Sequence, residues 1–95
     1  MDSQLQFEIV LKHKGIGPEG SKSLKHKDLV FLQEAFFDPT IDIITKATLM
    51  TAFEMLPNSE EETRWWQEFQ IMLLKDGDPD LKKWWLERNS DDLWA

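Results

Sequence analysis

Cysteine is absent from this chain of 95 residues. That absence excludes a disulfide framework, a zinc–thiolate site and a thiol nucleophile. No apolar run approaches the length of a membrane-spanning helix, and the opening Met1-Asp2-Ser3 lacks the basic-then-apolar pattern of a signal peptide. We therefore expect a soluble, cytoplasmic protein. Residues 1–95 are enough for a single domain with one modest core.

Basic residues are scarce, with 11 Lys+Arg against 18 Asp+Glu and a net charge of −7. This balance argues against binding to nucleic acid or an anionic membrane, since both attract positive charge. The acidic residues are concentrated in residues 49–95, which have a net charge of −6, whereas residues 1–48 have a net charge of −1. The first half contains a basic cluster, which we interpret as solvated surface, with anion binding as the alternative: Lys12, Lys14, Lys22, Lys25 and Lys27, interleaved with His13 and His26.

Apolar spacing and helix punctuation predict an all-α bundle of four to five short helices. We expect helices over about 4–14, 25–37, 41–56 and 59–75, and a short fifth helix opened by Pro79. Ser59 and Glu62 have the spacing of a capping box, and Asp78 is expected to cap the fifth helix. Gly77 is expected to end the fourth helix in the left-handed conformation. Residues 90–92 could begin another turn.

The first helix is predicted to be apolar on two sides. Phe7, Val10 and Leu11 lie on one side at helical spacing, and Leu5 and Ile9 lie opposite. The second apolar side indicates burial against another chain or domain. Alternation of Phe7, Ile9 and Leu11 leaves a strand as the alternative. The third helix, with ten apolar residues among sixteen, is predicted to be central.

Three patterns resemble chemical motifs but have simpler structural interpretations. Gly15-x-Gly17-x-x-Gly20 matches a dinucleotide fingerprint only as a string, because the stretch after Gly20 has no apolar face and the rest of the chain cannot complete a nucleotide-binding sheet, so we interpret it as a loop. Asp76-x-Asp78-x-Asp80 begins like a calcium loop but lacks the required glycine, so a helix stop and cap is favoured. The two histidines have no recognisable catalytic or metal-binding partners. No catalytic, metal-binding or cofactor-binding residue is therefore predicted.

The five tryptophans include two adjacent pairs, Trp65-Trp66 and Trp84-Trp85. Neighbouring residues on a helix point in different directions, so at least one member of each pair is expected to be partly exposed or packed outside the core. Tryptophan is enriched at binding hot spots. A large aromatic core is an equally acceptable interpretation.

Four segments together resemble the N-terminal helical domain of the anthranilate phosphoribosyltransferase family, which pyrimidine nucleoside phosphorylases share. They are residues 11–20 (LKHKGIGPEG), Leu24, residues 43–56 (IITKATLMTAFEML) and residues 59–62 (SEEE). The resemblance covers about residues 5–70. Met55-Leu56-Pro57-Asn58 stands where the family usually has a basic residue and a glycine.

The resemblance implies a module for subunit association through the first and third helices, which also forms one wall of a substrate cleft. The family's phosphoribosyl-diphosphate loop and acidic metal-binding pair are absent from this sequence, so we expect no catalysis by this chain alone. If the chain is part of a longer protein, the resemblance implies phosphoribosyl or glycosyl transfer with magnesium. The expected partner is a second copy or a catalytic domain.

These observations lead to one preferred function and one alternative. The preferred function is self-association through Leu5, Ile9, Met50 and Phe53. The alternative is a stand-alone acidic adaptor that binds a basic protein surface through exposed tryptophans and acidic residues. Its predicted contacts are Trp84, Trp85, Glu60, Glu61, Glu62, Asp76, Asp78 and Asp80.

Overall fold

The computed structural model describes residues 2–15 and 24–94, with side chains as far as residue 88. Within these residues the chain forms helices and no strand, which confirms the all-α bundle and rules out the strand alternative for the first segment. The predicted glycine loop lies mostly outside the described residues. None of the described helices is long and apolar enough to cross a membrane. The elements are α1 (Ser3–Gly15), α2 (His26–Ala35), α3 (Ile43–Met55), α4 (Glu60–Asp76) and α5 (Pro79–Trp94).

Side-chain caps fix where several helices begin. Ser59 Oγ accepts from the Glu62 backbone N at 3.1 Å, and Glu62 Oε1 accepts from the Ser59 N at 3.0 Å, which confirms the capping box. Asp78 Oδ1 accepts from the Asp80 N at 2.9 Å, which confirms the predicted cap of α5. Asp42 caps α3 in the same way, with its Oδ2 3.0 Å from the Thr45 N.

The predicted left-handed conformation of Gly77 is wrong. Its φ of −72° and ψ of 166° are extended, because the chain passes directly from α4 to the Asp78 cap of α5. Glycine is needed at this position because there is no space for a side chain. A Cβ at this position would lie 2.4 Å from both the Leu73 carbonyl oxygen and the Leu73 Cδ1.

Two predicted helix ends also differ from the structure. The α-helical part of α2 ends at Ala35, two residues earlier than expected. The chain continues in a turn whose hydrogen bond spans three residues instead of four, since the Phe37 N donates to the Glu34 O at 3.0 Å. The fifth helix is not short, since α5 continues through residues 90–92 to Trp94 without a new start. Serine and aspartate disfavour helix interiors only weakly, so they do not interrupt it.

Aromatic side chains form the centre of the core and join four helices. Phe36, which directly follows α2, contacts Phe7 of α1, with ring centroids 5.2 Å apart, and Phe69 of α4 at 4.5 Å. Phe53 of α3 stacks on Trp66 of α4 at 5.1 Å, nearly parallel. Such ring pairs contribute about 0.5–1.5 kcal/mol each beyond the area that they bury. Aliphatic residues complete the core, among them Val10, Leu11, Leu29, Leu32, Leu49, Met50, Leu73 and Leu81.

Candidate interaction surface

Helices α1 and α3 lie side by side and run parallel. At their beginnings, Gln4 Oε1 accepts from the Asp42 N at 2.7 Å, and Gln4 Nε2 donates to Thr45 Oγ1 at 3.4 Å. At the end of α1, Gly15 approaches α3 so closely that an added Cβ would lie 3.1 Å from the Ala52 Cβ. Phe7 of α1 and Leu49 of α3 both point into the core. The sides of the two helices that face away from the core therefore lie on the same surface of the bundle.

The solvent-facing sides of α1 and α3 carry four exposed apolar side chains. Leu5 is 50% exposed, Ile9 38%, Ile44 72% and Met55 72%. Leu5 lies about 100° around α1 from Gln4, and Ile44 lies about 100° around α3 from Thr45 in the opposite sense, so both point away from the core. We call this two-helix surface the outer face. Thr48 and Thr51 lie between Ile44 and Met55 on it, and neither carries a charge.

The sequence-predicted association residues are divided between the outer face and the core. Leu5 and Ile9 are exposed as expected. Met50 and Phe53 are 0% and 1% exposed, so their assignment to an interaction surface is corrected. Phe53 stacks on both Trp65 and Trp66, with ring centroids 5.3 and 5.1 Å apart. Since α3 is apolar on most sides, helical periodicity alone could not identify its exposed side.

One tryptophan of each adjacent pair is buried and the other is half-buried, as predicted. Trp66 and Trp85 belong to the core, whereas Trp65 and Trp84 are partly exposed. The Arg88 guanidinium lies 5.5 Å from the centre of the Trp84 ring, and Arg88 Nε donates to Glu54 Oε2 at 3.1 Å. Trp85 is therefore not available as an adaptor contact in this structure, and Trp84 is available only in part.

The structure removes Lys14 from the predicted solvated basic cluster. Its side chain is 1% exposed, and Nζ lies 2.6 Å from Glu62 Oε2, which is itself fully buried. The same Nζ donates to Asn58 Oδ1 at 2.6 Å and to the Pro57 O at 3.3 Å, so all three of its protons are used. The ammonium also lies 4.9 Å from the centre of the Phe53 ring.

Glu62 is the acceptor of this polar network, and it remains ionised. Burial has the largest single effect and would raise the pKa of its carboxyl group, but the hydrogen bonds from Lys14 and Ser59 together with the attraction of the Lys14 charge outweigh it, and the pKa lies below its ordinary value of 4.5. The pair fixes the end of α1 to the first turn of α4, and the bonds from Lys14 to Asn58 and Pro57 fix it to the turn that precedes α4. These contacts hold the end of α1 near the end of α3.

A second buried lysine, Lys46, lies in the first turn of α3. Its Nζ donates to the Asp38 carbonyl oxygen at 2.6 Å, which ties α3 to the preceding turn. Burial lowers the pKa of Lys46, and the carboxylates of Asp78 and Asp38 partly offset that effect. The cavity beside it measures about 400 Å³ and is also lined by Asp42 and Asp80. With carboxylates around the ammonium, this cavity does not favour an anion.

The remaining candidate motifs show surface or capping geometry. His13 is exposed, and His26 Nδ1 lies 2.9 Å from Glu61 Oε2, also at the surface. Among the described residues no three His, Cys, Asp or Glu side chains are grouped so as to hold a metal ion. Asp78 uses its carboxylate to cap α5, as the helix-cap interpretation of the acidic triplet expects.

Comparison of the chain with models of protein families, with curated proteins and with solved structures gives no match in any of the three. The resemblance to the phosphoribosyltransferase N-terminal domain therefore stays a prediction from the sequence. The outer face does not depend on that resemblance, because it is defined by the exposed side chains of α1 and α3.

Proposed function

We propose that this chain is a helical association module that forms a homodimer through its outer face. The observation that carries the proposal is the placement of Leu5, Ile44 and Met55, all exposed, on one side of two adjacent, parallel helices, with Ile9 at the edge of that surface nearest α2. Grouped exposure of this kind is typical of protein–protein contacts, whereas single exposed apolar residues are not. A two-fold pairing would bring the same surface of each copy together.

The charges on the outer face favour a second copy as the partner. Two chains that each carry −7 repel one another, and the repulsion is smallest where the local charge is balanced. On α1, Glu8 and Lys12 are exposed and one helical turn apart. An antiparallel pairing of two α1 helices would place Glu8 of each copy near Lys12 of the other. Opposite charges at these positions would set the register of the dimer.

The proposal is tested by measuring molar mass in solution with light scattering over a range of protein concentrations. We expect the unmodified chain to approach twice its mass of 11.2 kDa as concentration rises. Ile44→Asp and Ile9→Asp should each shift the equilibrium to monomer, since a carboxylate would be buried in the contact. Ile71→Asp is the matched control, because Ile71 is 69% exposed but lies on α4.

Circular dichroism of each variant should match the unmodified chain, because all three isoleucines are at the surface. A monomer at every concentration would refute the proposal. Equal dissociation by Ile71→Asp and Ile44→Asp would also refute it, since the effect would then not belong to the outer face.

The finer function, a cleft wall beside a catalytic domain of the phosphoribosyltransferase type, remains a proposal that rests on the resemblance over about residues 5–70. The outer face supports only its association component. Co-purification of this chain with such a domain, followed by loss of the complex in Ile44→Asp, would favour a heterologous contact over a homodimer.

A further inference from the structure

A groove separates α2 from α4 along their length. The two helices run parallel: His26 Nδ1 contacts Glu61 Oε2 at 2.9 Å near their beginnings, and Gln33 Nε2 contacts Met72 Sδ at 2.8 Å further along. The groove between these contacts measures about 350 Å³. This volume is near the lower end of the range for binding pockets, which suits a few side chains of a partner.

The floor of the groove is apolar and rigid. It is lined by Leu29, Val30 and Trp65. Val30 is 56% exposed, so its methyl groups are open to a partner. The Trp65 ring is held in place by stacking on Phe69 at 5.1 Å and on Phe53 at 5.3 Å. Aromatic anchors of this kind dominate binding energies at protein interfaces.

The rim of the groove is acidic. Glu34 of α2 and Glu61 and Glu68 of α4 line it, against one arginine, Arg64. The Arg64 Nη2 lies 3.8 Å from the Glu60 carboxylate, one turn back along α4, so part of its charge is already offset. An apolar floor with a negative rim is complementary to a partner that is apolar in the centre and positive at the edges.

We infer that the groove between α2 and α4 is a docking site for a basic amphipathic helix of another protein. An apolar side chain of that helix would lie on Val30 and Trp65, and its lysines or arginines would pair with Glu34 and Glu68. Helices commonly bind in grooves through such an apolar stripe. A second copy of this acidic chain is a poor occupant, because its net charge of −7 has the same sign as the rim of the groove. The inference is independent of the proposed homodimer.

The test uses a synthetic Leu/Lys peptide of about 14 residues, patterned at helical spacing, which is near the length where isolated helices become marginal. The peptide has no tryptophan, so protein fluorescence reports binding directly, and calorimetry gives the affinity. The same measurement is made with a Leu/Glu peptide of identical pattern and with a Leu/Lys peptide of scrambled order. Repeating it with Ile44→Asp keeps dimerisation from affecting the result.

Charge reversal at the rim is the decisive comparison. The double variant Glu34→Lys/Glu68→Lys should weaken binding at least about tenfold, since it removes two attractions and adds two repulsions. Asp76→Lys/Glu87→Lys changes the net charge equally at exposed sites outside the groove and is the matched control. Val30→Asp should weaken binding as well, and rising salt should weaken it for the unmodified chain.

The expected pattern is saturable binding of the patterned Leu/Lys peptide, lost in the rim variant and kept in the control. Absence of saturable binding would overturn the inference. Equal binding by the two double variants would assign the effect to net charge and also overturn it. Equal binding of the scrambled or the Leu/Glu peptide would show that neither a helical stripe nor basic charge is recognised, with the same consequence.

Discussion

Replacing Lys14 by methionine tests the interpretation that a buried ion pair fixes α1 to the rest of the bundle. Methionine has similar length, so it fills the space but leaves the fully buried Glu62 carboxylate without its cation. Removing one partner of a buried pair typically costs about 3–5 kcal/mol. A domain of this size has a total stability of about 5–15 kcal/mol, so Lys14→Met should remove a large fraction of the free energy of unfolding.

The free energy of unfolding would be measured in urea at pH 7 with tryptophan fluorescence. Lys12→Met, at an exposed lysine two residues earlier in α1, is the control and should stay within about 0.5 kcal/mol of the unmodified chain. Glu62→Gln keeps an acceptor for the Ser59 N but removes the charge. The double variant Lys14→Met/Glu62→Gln should therefore be less destabilised than the sum of the single variants, by about 1–3 kcal/mol.

Two results would refute this reasoning. If Lys14→Met lowered the free energy of unfolding by less than about 1 kcal/mol, Glu62 would be accepting a hydrogen bond from water or another donor at little cost. Additive effects in the double variant would mean that the two side chains contribute independently, although Nζ and Oε2 lie 2.6 Å apart.

Three further predictions concern pH, backbone space and core charge. The pKa of Glu62 is lowered in the folded chain, so the stability that its ionised form contributes is complete well above pH 4.5 and is lost as the pH falls through the folded pKa. Urea titrations at several pH values would measure this. The difference in free energy of unfolding between the unmodified chain and Glu62→Gln should shrink with acidification. Gly77→Ala should cost about 1–3 kcal/mol in thermal unfolding, since the new Cβ meets the Leu73 carbonyl oxygen at 2.4 Å, and a neutral result would show that the turn relaxes freely. Phe53→Asp should unfold the chain, with loss of the helical circular dichroism signal, because Phe53 is 1% exposed, whereas Ile9→Asp should retain that signal.

Local patterns predicted the features of this fold that depend on residues close in sequence. Ser59 and Glu62 are three residues apart, and their reciprocal hydrogen bonds need only the first turn of one helix. Asp78 caps α5 for the same reason. The all-α class follows from the spacing of apolar residues, which is also local. These predictions succeed because the neighbours that decide each conformation lie within a few residues.

Features that depend on distant residues could not be predicted in this way. Lys14 and Glu62 are 48 positions apart, and nothing around Lys14 distinguishes it from the exposed Lys12. Helix α3 has apolar residues on most sides, so its inward side is chosen by what packs against it. The contact of α1 with α3 leaves Ile44 outside and Met50 inside. Placing Met50 at a surface was an error about packing partners, not about secondary structure.

The two proposed surfaces lie on different helix pairs and differ in charge. The outer face belongs to α1 and α3 and includes both Glu8 and Lys12, so it suits a partner of the same composition. The groove belongs to α2 and α4, with three carboxylates against one guanidinium, and it suits a partner of opposite charge. A homodimer formed through the outer face would keep both grooves open. It would then hold two basic helices at a fixed spacing, and a ligand containing both would bind more tightly than either helix alone.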